Sequence, residues 1–454
     1  MGAGIPVAIA MAGASLVYVM ASGSTPPFVV IHRMIGGIDS FPLLAVPFFI
    51  LAGNLMNVGG ITTRIYNFSL ALVGWAKGGL GHVNIIGSVI FAGMSGTAIA
   101  DAAGLGTIEI KAMREHGYDA EFSVGVTAAS ATLGPIIPPS LPFVIYGMFA
   151  NVSVGALFLA GLMPGLVMTV LMMLTVAYFA HKNGWGGDID WQWDRVRKAF
   201  AELALVAGVP FALWAASEAG ASMTIAVPVA LAALLWADYR YKFNAVLPIM
   251  TPVLLIGGMT TGLFTATEGA IAACVWAIFL GVVWYRTLSW RMLVKASMET
   301  VETTSTVLFI VAAASIFGWM LTATRTTEMI AAWILTFADA PWKFLLLANA
   351  LMLFVGCFLE PTAAITILVP ILLPIVRQLG IDPVHFGLVM VLNLMIGLLH
   401  PPMGLVLFVL ARVAKLSVER TTMAILPWLI PLLASLALVT FVPSISLWLP
   451  KALG

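Results

Sequence analysis

Two pairs of short runs in this 454-residue chain carry the residue types that bind a hard cation through oxygen. The first pair is Gly93-Met94-Ser95-Gly96-Thr97 and, downstream, Gly134-Pro135-Ile136-Ile137-Pro138-Pro139. The second is Gly356-Cys357-Phe358-Leu359-Glu360-Pro361-Thr362, followed by Gly397-Leu398-Leu399-His400-Pro401-Pro402. A proline lacks an N–H and its ring clashes with the preceding turn, so two in succession open a helix and free backbone carbonyls. Such carbonyls, joined by hydroxyls, suit Na⁺. The candidate cation ligands are therefore Ser95, Gly96, Thr97 and Gly134 in the first half, and Gly356, Thr362, Gly397 and His400 in the second. An anionic substrate needs donors, which the half-helix N-termini after each Pro-Pro pair can supply. That makes Ser95, Thr97, Pro138, Pro139, Pro401 and Pro402 the candidate substrate contacts.

Each of these residues also has a plain structural reading. The Ser/Gly/Thr run could serve close helix packing, and the Thr362 hydroxyl could bond within its own helix. Glu360 reads as a cap for the helix that follows it. Asp101 reads as a residue orienting the hairpin backbone, Glu268 is a further acid in an apolar setting, and Arg412 reads as a boundary charge. His400 carries the side chain whose charge changes near neutral pH, and an ionisable group inside an apolar segment is a functional candidate by default.

The spacing between the runs turns them into a pattern. Adding 263 to Gly93, Arg114, Gly117, Asp119, Gly134, Pro138, Pro139 and Pro164 lands on Gly356, Arg377, Gly380, Asp382, Gly397, Pro401, Pro402 and Pro427. Eight matches in order at one offset indicate an internal repeat. Paired Gly/Pro-interrupted segments in repeated halves mark the binding region of a secondary transporter. The runs near Ser95 and Thr362 then read as tips of helical hairpins that enter and leave a membrane on one side.

The elements that position these residues must be membrane helices. The chain is 61% hydrophobic and 9% charged, too apolar for a water-soluble surface, and its long apolar runs lack the alternation a barrel requires. The expected fold is an all-α polytopic membrane protein of two inverted repeats with re-entrant hairpins and discontinuous helices. A net charge of +1 without basic blocks excludes a nucleic-acid partner. Cys274 and Cys357 lie in apolar surroundings and read as packing residues. Residues 5–20 lack a basic leader and read as a first membrane segment. Basic residues cluster at Arg195–Lys198, Arg240–Lys242 and Arg286–Lys295, and the intervening hydrophobic pairs allow all three clusters to be cytoplasmic together.

On these residues the chain resembles the large membrane subunit of tripartite ATP-independent periplasmic (TRAP) transporters, the DctM-like family. The resemblance runs through Asp39–Gly53, Met94–Asp101, Gly134–Ser140, Gly262–Glu268, Glu360–Ala364, Gly380–Phe386 and Asn393–Pro402. It implies an elevator-type transporter in the bacterial inner membrane, driven by Na⁺ as coupling ion and using no other cofactor. It also implies an organic acid substrate, a small four-helix membrane subunit (DctQ-like) and a periplasmic solute-binding protein (DctP-like). The domains expected are N-terminal scaffold helices over 1–80, a first transport core over 81–165, and connecting scaffold helices over 166–300 with an added apolar pair near 201–237. Second-repeat scaffold helices follow over 301–343, a second core over 344–430, and the end of the last helix over 431–454. The chain departs from the family pattern where His400 replaces an expected Thr and Glu360 an expected Asp.

Two other classes stay open at this stage. Broken helices also build channels, and Gly93-Met-Ser-Gly96 with His400 as base fits a rhomboid-like intramembrane serine protease.

Overall fold

The computed structural model describes residues 5–23, 25–218, 222–243, 245–260, 263–400 and 404–453. Every regular element among them is helical. Backbone N–H and C=O groups in lipid must be satisfied within the segment, which leaves a protein this apolar no open sheet to use. Among the described residues six helices are long and apolar enough to cross a membrane: Phe41–Val58, Val154–Asn183, Ala266–Trp284, Trp290–Ala323, Pro361–Gln378 and Val418–Phe441.

The 263-residue offset reappears in the element boundaries. Ala98–Ala103 and Leu105–Glu115 together correspond to Pro361–Gln378, and Ala120–Ala131 to Pro383–Gly397. Leu141–Ala150 corresponds to Leu405–Ala414, and Val154–Asn183 to Val418–Phe441. The correspondence also extends upstream of the matched residues. Phe28–Ile38 and Ala45–Val58 map onto the two halves of Trp290–Ala323, and Ile61–Val73 onto Thr326–Leu335. The repeat therefore includes scaffold as well as core. Cuts at 165 and 430 fall inside Val154–Asn183 and Val418–Phe441, two helices that pack on each other.

Several matched residues have a local reason to match. Gly117 and Gly380 both adopt positive φ, +84° and +68°, the left-handed geometry that ends a helix and that only glycine adopts without strain. Two residues later Asp119 and Asp382 open the next helix, and Asp382 caps it through Val384 N–H at 2.7 Å. Pro164 and Pro427 each sit inside the long helix that closes the repeat.

Contacts between the halves are reciprocal, as a two-fold relation requires. Leu141–Ala150 packs on Pro361–Gln378, while its counterpart Leu405–Ala414 packs on Ala98–Ala103. The matched arginines fasten these crossings. Arg114 Nη1 donates to Ala414 O at 3.2 Å and Arg377 Nη2 to Ala150 O at 3.0 Å. Each guanidinium thus reaches the last carbonyl of the opposite repeat's half-helix, where cations complement the helix dipole.

The helix pair Trp193–Glu218 and Met223–Tyr241 lies between the repeats. Its basic ends meet, with Lys198 Nζ donating to Lys242 O at 2.5 Å. Trp284 Nε1 donates to Asp238 Oδ2 at 2.8 Å, bringing the segment before Arg286 to the same end. The three basic clusters therefore share one face of the molecule. A polar strap, residues 184–192, leads into Trp193–Glu218 and folds back over the base of the first hairpin. Asp188 Oδ2 accepts from Leu80 N–H at 2.7 Å and Tyr118 Oη at 2.6 Å, while its N–H donates to Gly74 O at 3.0 Å.

Candidate ion and substrate site

In the first half the hairpin tip and the helix break come together. The helix Gly79–Ser95 ends where Gly96 takes φ +64°, and Thr97 then caps the return helix by accepting from Ala100 N–H at 3.3 Å. A Cβ on Gly96 would lie 2.8 Å from Pro139 O, and one on Gly134 would lie 3.0 Å from Thr97 O. Leu141 N–H donates to Gly96 O at 3.5 Å. Glycine is needed at 96 and 134 because backbone meets backbone there. Ser95, Gly96, Thr97, Gly134, Pro138 and Pro139 are thus one structural unit. Ser95 Oγ is buried within it and has no hydrogen-bond partner among the described residues.

The second half repeats the junction with different chemistry. A Cβ on Gly397 would lie 2.7 Å from Gly356 Cα and 3.1 Å from Gly356 O, so hairpin and broken helix touch through two glycines. Glu360 occupies the position of Thr97 and does the same work, its carboxylate accepting from Ala363 N–H at 3.3 Å. The capping reading of Glu360 holds. Thr362 bonds not within the helix backbone but across to that carboxylate, its hydroxyl donating to Glu360 Oε1 at 2.9 Å and keeping lone pairs to accept. His400 is half-buried, and its N–H donates to Gly397 O at 3.0 Å. Its repeat counterpart Ile137 is buried against Gly165. Pro401 and Pro402 lie outside the described residues.

Residues absent from the candidate set hold both junctions in place. Ser140 Oγ donates to Pro135 O at 2.5 Å and accepts from Phe143 N–H at 3.3 Å, bridging the first break and capping the half-helix after it. Asn84, on the hairpin, donates to Thr127 Oγ1 at 2.7 Å and accepts from Ser130 Oγ at 2.6 Å on the broken helix. Asn393 donates to Asn349 Oδ1, and Asn349 to Thr440 Oγ1 at 3.2 Å, giving the second half its own version. Tyr146 Oη donates to Pro383 O at 2.6 Å and links the first half-helix to the second broken helix. Its place directly after the Pro138-Pro139 pair was the available signal for Ser140. The scaffold touches the first tip directly: a Cβ on Gly53 would lie 3.2 Å from Ser95 Cα and 3.4 Å from Ser95 O.

The other residues of interest resolve simply. Asp101 does not orient the hairpin backbone: no backbone group bonds its carboxyl among the described residues, its Oδ2 is buried without a partner, and its side-chain neighbours include Ser88 and Glu109. Glu268 forms a capping box with Thr265 on an exposed helix start. Arg412 is exposed. Cys274 Sγ donates to Phe48 O and Cys357 Sγ to Leu353 O, both as buried free thiols.

Residues 1–445 match the family described as the tripartite ATP-independent periplasmic transporter, DctM component. The chain is 42% identical over 453 residues to the sialic acid TRAP transporter large permease protein SiaM of Vibrio cholerae, covering 99% of this chain and 95% of that protein. That match runs through the helix pair near 201–237 as well. It is 39% identical over 450 residues to the sialic acid TRAP transporter permease protein SiaT of Haemophilus influenzae, spanning 99% of this chain and 66% of that longer protein. A 32% identity over 465 residues relates it to the C4-dicarboxylate TRAP transporter large permease protein DctM of Rhodobacter capsulatus, covering 99% and 96%. Among solved structures, the YdaH transporter of Alcanivorax borkumensis has the same fold, with a TM-score of 0.61 at 14% identity over 93% of this chain and 89% of that one.

Proposed function

Since the chain belongs to the DctM component family of tripartite ATP-independent periplasmic transporters, a family of transporters and not of enzymes, we propose that it imports an organic acid on a Na⁺ gradient by an elevator motion. It is a multi-pass protein of the bacterial inner membrane. The protease reading ends with the family, and its relatives are named as TRAP transporter permeases. The observation that carries the proposal is the pair of tip–break junctions, Gly96 on Pro139 and Gly356 on Gly397, built twice at one offset.

The donor set fits Na⁺. Ser95 Oγ is buried and unpartnered among the described residues next to Gly96 of the first junction, and Thr362 Oγ1, in the helix that follows the second hairpin tip, has lone pairs to spare. Hydroxyl and carbonyl oxygens are the ligands a hard monovalent cation prefers. When bound, the ion would supply charge that favours an anionic substrate alongside it. The residues of the chain hold the two junctions, and the Arg114 and Arg377 bonds tie each hairpin to the opposite half-helix. The interlocked core can then slide against the scaffold as one body. Sialic acid and C4-dicarboxylates, the substrates in the names of the relatives, are both carboxylic acids, which supports an organic acid here, with a sialic acid as the first candidate. Working partners are a small four-helix membrane subunit and a periplasmic solute-binding protein.

The test is uptake into proteoliposomes holding this chain with its small subunit. Accumulation of a labelled organic acid should require both an inward Na⁺ gradient and the binding protein. Uptake independent of Na⁺, or conductance without saturation, overturns the proposal.

A further inference from the structure

A second set of oxygens, apart from the tips, is buried inside the first hairpin. Asp101 and Glu109 sit on its return helices, Ser88 on its entering helix, and Ser69 on the neighbouring helix Ile61–Val73; none is more than 1% exposed. Asp101 Oδ2, both Glu109 carboxylate oxygens and Ser69 Oγ have no hydrogen-bond partner among the described residues, and the Ser88 hydroxyl faces the Asp101 carboxyl with lone pairs to accept. Ser88 lies beside the Asp101 carboxyl, and Asp101 is within electrostatic reach of Glu109. Gly87 opens the space they share. A Cβ there would stand 2.8 Å from Glu109 Oε1 and 3.8 Å from Ser69 Oγ.

Two carboxyls withdrawn from water are costly unless a positive charge offsets them. Among the described residues neither acid forms an ion pair with Lys or Arg. Nor does the architecture require polar groups here. At the 263 offset the second repeat has Ala332, Ala350, Leu351, Ala364 and Leu372 where the first has Ser69, Gly87, Ser88, Asp101 and Glu109. The same scaffold is built once from hydrocarbon and once from oxygen.

We propose that Asp101, Glu109, Ser88 and Ser69 bind an alkali-metal cation, with Na⁺ the one to test. Five oxygens from four side chains converge on it, and two carboxylates supply the charge. Ser69 lies outside the hairpin, so the bound ion fastens the first hairpin to helix Ile61–Val73. This site stands or falls separately from the tip–break junctions.

The experiment follows thermal unfolding of the purified full chain against NaCl concentration, with choline chloride holding ionic strength constant, in parallel series at two pH values. Glu109→Gln and Ser69→Ala are compared with their parents, both in the natural sequence and in a Thr97→Ala background that perturbs the first tip. The half-stabilising Na⁺ concentration should rise at least tenfold in Glu109→Gln and several-fold in Ser69→Ala, in both backgrounds. If Glu109→Gln does not fold, Ser69→Ala, which removes one oxygen only, carries the test. Unchanged Na⁺ midpoints in the variants overturn the site. So does a stability that follows pH with no response to Na⁺, since that identifies a protonated carboxyl pair. An effect of Thr97→Ala alone speaks to the tips and leaves this result readable.

Discussion

A single methyl group at Gly397 puts the second junction under direct load. The Cβ of Gly397→Ala would stand 2.7 Å from Gly356 Cα and C, and 3.1 Å from its O. Carbon atoms rest at about 3.5–4.0 Å, so hairpin and broken helix must part by about 1 Å. The opposing atoms are backbone and cannot rotate aside. Overpacking of this kind costs about 1–3 kcal/mol, a shift of about 5- to 150-fold in the population with the junction closed. The assay is Na⁺-driven uptake in proteoliposomes beside thermal unfolding in detergent. Gly36→Ala is the matched control, because nothing lies within 4 Å of its added methyl and it sits in the last turn of Phe28–Ile38. That change should leave uptake intact and stabilise by up to about 1 kcal/mol. Gly397→Ala should lose at least fivefold of uptake and unfold at lower temperature. Wild-type uptake and stability in Gly397→Ala would refute the close-packed junction.

Other outcomes follow from single contacts. Arg114→Ala and Arg377→Ala each leave a buried helix end without its donor, and each should destabilise by about 1–3 kcal/mol in denaturation, with the lysine variants restoring part of the loss. Asp188→Ala removes the acceptor of both Leu80 N–H and Tyr118 Oη, and should loosen the hairpin base by about 1–3 kcal/mol, read as faster hydrogen exchange at Leu80. His400→Thr should alter the Na⁺ or pH dependence of uptake, and unchanged dependence on both would remove His400 from the site. The exposed Glu121 carboxyl is held below the usual carboxylate range by its own backbone N–H at a helix start and by Arg420. A depressed carboxylate stabilises above its unfolded value and loses that contribution as pH falls through the folded one. Arg420→Ala should therefore change melting slightly at neutral pH, and the difference should fade below about pH 4.

What could be read from sequence was whatever lies in composition and local backbone chemistry. Pro138 and Pro139 announce a broken helix because proline removes a donor wherever it stands. Gly117 and Gly380 match because glycine adopts that left-handed turn at least cost. Glu360 reads as a cap because capping is decided within three residues. The scaffold half of the repeat was invisible: away from turns and breaks no backbone geometry fixes a residue type, so Phe28–Ile38 falls on residues 291–301 of Trp290–Ala323 without one shared residue. Arg114 and Arg377 were visible as a matched pair, but their partners Ala414 and Ala150 lie across the fold. Asp101 was misread because its surroundings, Ser88 and Glu109, come from helices that only tertiary packing assembles.

The central claim is that the two interlocked halves move together against the scaffold when Na⁺ and substrate bind. Spin labels at the exposed Lys111 and Lys415 report within the core, and a pair at Lys111 and Lys295 reports between core and scaffold, on a chain with Cys274 and Cys357 replaced. Pulsed electron-spin distance measurements should give one unchanged distance for Lys111–Lys415 with or without Na⁺ and substrate. The Lys111–Lys295 distribution should shift between two distances. A fixed Lys111–Lys295 distance, or a core pair that changes as much as the scaffold pair, would contradict the account.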